Sequence, residues 1–344
     1  VALKVSQSSL KKFRRCKRQY YYSVVQGLEP RLLDKKLKLG GWFHKLMESH
    51  YKGESWQDQH QKELNAFNTL FKEERDSYGD MPEQVVRMME SYIWHYRKEE
   101  EDWEVLYVEE EFTVFFENQE DEFTFKPDLI VRDHSTKEKA IWVVDHKTVK
   151  SMPSGEWRIE DLQSTLYPWA LREGTDLNIK GFIFNYIRKK SPSIPHINKD
   201  GAISRARIDT DYPTMSRFLL DYYEKSSVND LPVDEKKKLL GLKGRTNFFK
   251  RSRLIKDEAI IARQIVEFQI TAQEVEVWHE MEEDPQDDLE KDPWVRTMIP
   301  SCSWDCDFYD LCILELMGQD SKFMRRAKFQ PSEYAKKRGL GSGN

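Results

Sequence analysis

The chain has 344 residues, enough for a full core built as one elaborated domain or two smaller ones. It is 33% charged and 39% hydrophobic, and no uninterrupted apolar run is long enough to span a bilayer, so no membrane role is expected. The net charge of −5 does not by itself mark a nucleic-acid binder, but the charge is unevenly spread, and local patches decide whether a phosphate backbone is attracted.

The opening V-A-L-K-V-S-Q lacks the charged-then-apolar pattern of an export signal, so a cytoplasmic location is expected. From Ser8, the stretch S-S-L-K-K-F-R-R-C-K-R-Q-Y-Y-Y begins with hydroxyl residues suited to capping and predicts a short amphipathic, basic helix. The pair Gly40-Gly41 opens a second helix, G-G-W-F-H-K-L-M-E, and a polar helical pattern runs from about Trp56 to Glu101. Three strand candidates follow: V-L-Y-V-E-E-E-F-T-V-F-F from Val105, F-T-F-K-P-D-L-I-V-R-D from Phe123, and K-A-I-W-V-V-D-H-K-T from Lys139. The polar D-H-S-T-K-E between the last two predicts a hairpin. A helix from Glu160 and a strand from Gly181 complete a small mixed sheet with helices against it. From Lys236 the chain is basic with the Phe248–Phe249 pair, whereas the run from Glu280 is strongly acidic and predicts a solvated segment. The tail 329–344 is expected to be disordered.

Asp128, Asp145 and Lys147 stand inside runs that otherwise ask to be buried, and a buried charge without a partner is costly. Residues two apart on a strand share a face, so Asp145 and Lys147 project together, and an in-register hairpin brings Asp128 to them. Two carboxylates and a lysine suit phosphodiester hydrolysis. The carboxylates hold hard divalent cations through oxygen, and the lysine orients water or offsets transition-state charge. A bare Asp–Lys salt bridge at a strand end explains the same three residues without chemistry.

Pro127-Asp128, then D-x-K ending at Lys147, then Q-S-T-L-Y from Gln163, resembles the PD-(D/E)XK nuclease superfamily, specifically its RecB-like exonuclease branch. The resemblance implies a restriction-endonuclease-like core at about 105–190, a small mixed β-sheet flanked by helices, with Mg²⁺ or Mn²⁺ at Asp128 and Asp145. It also implies that Lys147 assists the nucleophile, that His44 and a strand glutamate (Glu109, with Glu111 on the same face) supplement the metal site, and that Gln163 and Tyr167 contact DNA. Pro168 directly after Tyr167 is unusual there and predicts a kink.

Four cysteines remain: Cys16 near one end, and Cys302, Cys306 and Cys312 near the other. Such clustering suggests a metal site more than disulfides. S-x-S-S-L-x-x-F-x-x-C-x-R-x-Y-Y-Y resembles the opening of the RecB-like subgroup carrying an iron–sulfur cluster, which includes CRISPR-associated exonucleases and the AddB nuclease domain. The resemblance implies that all four cysteines ligate one [4Fe–4S] cluster, with Zn²⁺ as the alternative, joining helical ends at 8–22 and 300–314. The spacing from Cys302 to Cys306 is one residue longer than is usual in that subgroup.

A single domain over 1–328 is therefore expected, acting as an exonuclease on single-stranded DNA or duplex ends in recombination, repair or phage DNA processing. Lys243, Arg245, Lys250, Arg251 and Arg253 are candidate phosphate contacts, and Phe248 or Phe249 a candidate base-stacking residue. The absence of G-x-x-x-x-G-K-[ST] argues against a built-in helicase motor, and a helicase or recombination protein is expected as a partner. The rival reading is a noncatalytic DNA-binding or scaffold module held by the cysteine site.

Overall fold

The structure, a computed structural model, describes residues 4–32, 34–115, 122–154, 157–204, 206–243, 246–283, 293–332 and 335. Strand β1 (Lys4–Val5) leads into α1 (Gln7–Arg15), α2 (Lys17–Tyr20) and a π-helical turn, Tyr21–Val25. The cap of α1 is Ser6, not the expected Ser8–Ser9 pair. The Ser6 hydroxyl accepts the Ser9 N–H at 3.1 Å, while Ser9 Oγ takes the Ser6 N–H at 2.9 Å. After β2 (Leu28–Pro30) come α3 (Lys35–Tyr51), α4 (Trp56–Asn68), α5 (Lys72–Tyr78) and α6 (Met81–Glu100). The glycine pair does not open α3 but lies inside it. A Cβ on Gly40 would stand 2.9 Å from Thr148 Oγ1, so glycine lets the helix cross close to the sheet.

The sheet region is β3 (Trp103–Val108), β4 (Phe112–Phe115), β5 (Glu122–Phe125), β6 (Leu129–Asp133), β7 (Ile141–Val149), α7 (Gln163–Gly174) and β8 (Ile179–Arg188). Then follow α8 (Tyr212–Tyr222), α9 (Val233–Leu242), β9 (Phe249–Leu254) and the long α10 (Glu258–Glu283). The chain closes with α11 (Cys302–Asp305), α12 (Tyr309–Leu316), α13 (Lys322–Lys328) and β10 (Phe329–Pro331). Among the described residues, a mixed five-stranded sheet runs β3-β6-β7-β8-β9, with β7 and β8 parallel and the other neighbours antiparallel.

Two of the expected strands are each divided. The run from Val105 breaks at Glu109–Glu111, and the run from Phe123 breaks at Lys126–Asp128, where Pro127 offers no N–H to a ladder. The pieces on the far side, β4 and β5, pair with each other and with β1 in a separate three-stranded sheet. The hairpin between β6 and β7 is as expected, with Leu129 opposite Val144.

Side chains alternate across the central sheet. Val143, Phe182 and Phe184 pack with Leu166 and Ala170 of α7 and Phe268 and Ala272 of α10. Val144, Leu129 and Ile183 face the opposite side, toward Tyr51 of α3. The expected disorder does not hold at 329–331, because β10 pairs with β2 and buries Phe329 against Tyr22 and Phe308; residues 336–344 lie outside the described residues. No helix among the described residues is long and apolar enough to cross a membrane.

Candidate active site and cysteine pocket

On β7, strand alternation sends Asp145 and Lys147 toward α7 and His146 toward α3 and α6. The register Leu129↔Val144 makes Asp128 and Asp145 the next residues along the two strands. Asp128 Oδ2 accepts the His146 backbone N–H at 2.7 Å, which fixes the carboxylate at the end of the sheet. Asp145 is 3% exposed, and its Oδ1 accepts from Lys147 Nζ at 2.9 Å and Gln163 Nε2 at 2.7 Å. Lys147 also donates to Gln163 Oε1 at 2.7 Å, so the three side chains form a closed triangle between β7 and the first turn of α7. Asp145 Oδ2 is buried and accepts no well-directed hydrogen bond, although Lys147 Nζ stands 2.8 Å away.

A second group adjoins this triangle. His44, Glu109 and Asp128 each offer a ligand atom, all within 4.8 Å of one another. His44 Nδ1 lies 3.8 Å from Asp128 Oδ2. Glu109 sits at the corner between β3 and β4, where its φ of 51° is left-handed, a region that costs a non-glycine residue energy. Its N–H donates to the Asp128 carbonyl at 3.1 Å, and its carboxylate pairs with Lys126. Glu111, by contrast, is exposed two residues further along.

The electrostatics suit a bound cation. Burial, and then the neighbouring Asp145 carboxylate, push the Asp128 carboxyl well above the ordinary aspartate range. Burial pulls the Lys147 ammonium down, but Asp145 outweighs it and the net shift is upward, so Lys147 is charged at neutral pH. Burial lowers the His44 imidazole despite Asp145 and Glu109, leaving it neutral, the form that ligates metals. Oxygen donors with one imidazole fit a hard divalent cation.

Gln163 and Tyr167 both lie on α7, which runs on through Pro168. Tyr167 packs on Phe125 with ring centroids 5.0 Å apart, and burial followed by the charges of Asp145 and Asp128 raises its hydroxyl pKa.

The basic segment is divided in its fate. Lys243 and Lys250 are exposed, and Arg245 lies outside the described residues. Arg253 is 47% exposed by side chain and pairs with Asp133 at 2.8 Å. Arg251 is not available to a phosphate: only 6% of its side chain is exposed. Its guanidinium lies 3.6 Å from the Tyr96 ring centroid and 4.1 Å from that of Trp103, donates to Tyr92 at 2.7 Å, and pairs with Glu100. Phe248 and Phe249 are likewise core residues, 1% and 5% exposed, so neither can stack on a base. The polar set around Arg251 continues through Tyr92 to Asn185 and from Asn185 to His146 Nδ1, at 2.7 and 2.8 Å. Sequence reasoning missed this set; its one local signal is that β9 alternation puts Arg251 on the same face as buried Phe249.

All four cysteines are free thiols, and all four line one pocket together with Arg15, Arg18 and Arg296. No three of them bring sulfurs within 4.8 Å of one another among the described residues. Thr297 N–H donates to Cys16 Sγ at 3.4 Å, and burial pushes the Cys306 and Cys312 thiols up.

The profile of the PD-(D/E)XK nuclease superfamily matches residues 4–312. Among solved structures, the chain is similar to a presumed exonuclease from Eubacterium rectale at 15% identity, covering 73% of this chain and 84% of that one, with a TM-score of 0.34. No curated protein matches the chain.

Proposed function

Because the chain belongs to the PD-(D/E)XK nuclease superfamily, we propose that it is a DNA exonuclease of the RecB-like type, cutting single strands or duplex ends with Mg²⁺ or Mn²⁺. The observation that carries this reading is the convergence of Asp128, Asp145 and Lys147 from two paired strands, with His44 and Glu109 alongside. Asp128, Asp145, His44 and Glu109 would hold the cation, which polarises the phosphoryl oxygen and acidifies water.

The chain's own residues divide the remaining work. Lys147 keeps its proton at neutral pH, so it serves as a fixed cation that orients the nucleophile and offsets charge growing on the phosphorane, not as a base. The His146 amide holds Asp128 by one oxygen. Gln163 sits between the triad and the face of α7, where its amide and Tyr167 would place the strand. Exposed Lys243, Lys250 and Arg253 would draw in the phosphate backbone.

The cysteine pocket would hold a [4Fe–4S] cluster. All four cysteines line one pocket, and the three arginines beside them suit the negative charge of such a group. Its role would be structural, tying the helical ends to the core.

The test is incubation of the purified chain with end-labelled single- and double-stranded DNA and Mg²⁺ or Mn²⁺. Stepwise mononucleotide or short-oligonucleotide release is expected, lost in Asp145→Asn with DNA binding retained. Binding without cleavage in every metal would overturn the enzyme reading in favour of a DNA-binding module. The protein should be brown as isolated, and a colourless protein containing zinc would overturn the cluster.

A further inference from the structure

Lys256, between β9 and α10, spends its ammonium on neutral oxygens. Its Nζ donates to the Asp161 carbonyl at 2.7 Å, Thr165 Oγ1 at 2.6 Å and Gln264 Oε1 at 3.1 Å. Thr165 Oγ1 donates in turn to Gln264 Oε1 at 2.5 Å, and Gln264 Nε2 reaches the Ile159 and Glu160 carbonyls at 3.3 and 3.4 Å. Asp161, in the loop before α7, accepts the Ser164 N–H through its side chain at 2.8 Å. Two side chains from about a hundred residues downstream therefore grip both the loop before α7 and its first turn.

An ammonium has three donors, and each of these is spent on a neutral oxygen of one small assembly. Burial lowers the Lys256 pKa to about 8, with the Asp161 charge opposing the fall. A half-buried lysine whose donors are all spent on neutral oxygens is unlike a surface salt bridge, whose long side chains stay solvated. What the grip holds is specific: Gln163 lies between Asp161 and Thr165, and its amide touches both Asp145 and Lys147.

We propose that Lys256, seconded by Gln264, is a positioning residue that sets the first turn of α7, and with it Gln163 and Tyr167, against the substrate strand. The proposal rests on the nuclease reading for its kinetic consequence and on the hydrogen bonds alone for its structural one.

The test uses the full chain with Lys256→Met, Lys256→Arg and the isosteric Thr165→Val. Amide hydrogen exchange should quicken by about tenfold or more across 159–167 in Lys256→Met and Thr165→Val, while the central strands stay protected. With single-stranded DNA and saturating Mn²⁺, KM should rise by roughly tenfold at near-constant kcat, and the Mn²⁺ concentration for half-maximal rate should not move. Lys256→Arg, which keeps the charge and the donors, should restore most of both. Unchanged exchange at 159–167, or a fall in kcat with a shifted Mn²⁺ requirement, would overturn the proposal. If the wild-type chain cleaves no DNA, the nuclease reading fails, and the exchange measurement still decides whether the clamp exists. Thr165→Val keeps the test open should Lys256→Met not fold.

Discussion

Glu109 carries two burdens that separate on mutation. Its left-handed φ favours asparagine or glycine, whereas its carboxylate belongs to the His44–Asp128 group. Glu109→Asn is therefore expected to leave stability unchanged or raise it by up to about 1 kcal/mol, while weakening Mn²⁺ binding. Urea unfolding and titration calorimetry on the same protein check the two halves, and equal losses in both would refute the separation. Lys147→Met removes the charge but keeps the stem. Cleavage should fall by about 10²–10³-fold with DNA binding retained, measured at saturating metal, and a wild-type rate would remove Lys147 from the mechanism. The triad was legible in the sequence because a carboxylate within a β-branched run is a local anomaly that needs no knowledge of neighbours. Arg251 was misread for the opposite reason. A cation inside a protein depends on acceptors supplied elsewhere, here Tyr92 and Glu100, more than 150 residues upstream.

Elements were legible where one pattern meant one element. The hairpin of β6 and β7 and the helix at Gln163 fall into this class. Continuous alternation from Val105 to Phe115 did not show that the chain changes sheets at Glu109, because a period of two reports which face a residue takes and not which partner strand it meets. The corner bears on the proposed metal site, since the two breaks deliver two of its residues, Glu109 and Asp128. The same limit hid Gly40, whose place in mid-helix is explained only by the strand beneath it. Gly40→Ala should push α3 off β7 at Thr148 and carry His44, four residues on, with it. An overpacking loss of about 1–3 kcal/mol is expected, partly recovered in the double variant with Thr148→Ala. Additive single and double effects in chemical denaturation would show that the two do not touch.

At the scale of the molecule, the buried cation of β9 braces α3 and α6 against the sheet. Burial alone would raise the pKa of Glu100, but His50, Arg251 and Tyr51 hold it at about 2, below its ordinary 4.5. A depressed folded pKa means stability that is present above pH 4.5 and lost as pH falls toward 2. The wild type should lose this contribution in acid melts, and Glu100→Gln should flatten that part of the pH profile. Arg251→Met, which strands the carboxylate, should cost about 3–5 kcal/mol, and less when combined with Glu100→Gln; a full additive loss would mean the pair is not coupled. The ladder between β2 and β10 has a mechanical meaning of its own. It joins Leu28 to Pro331 and Phe329 to Pro30, and flanking bonds run from Ser332 N–H to the Gly27 carbonyl and from Arg31 N–H to the Lys328 carbonyl, each 2.8 Å. The stretch from Gly27 to Ser332 is thus a ring buckled by non-covalent bonds, with no thiol in the buckle. A proteolytic nick anywhere on that ring would leave its two ends fastened. Tension applied across Gln26 and Ser332 would meet the antiparallel buckle at one end and open it pair by pair, like a zip, rather than shear all its bonds at once.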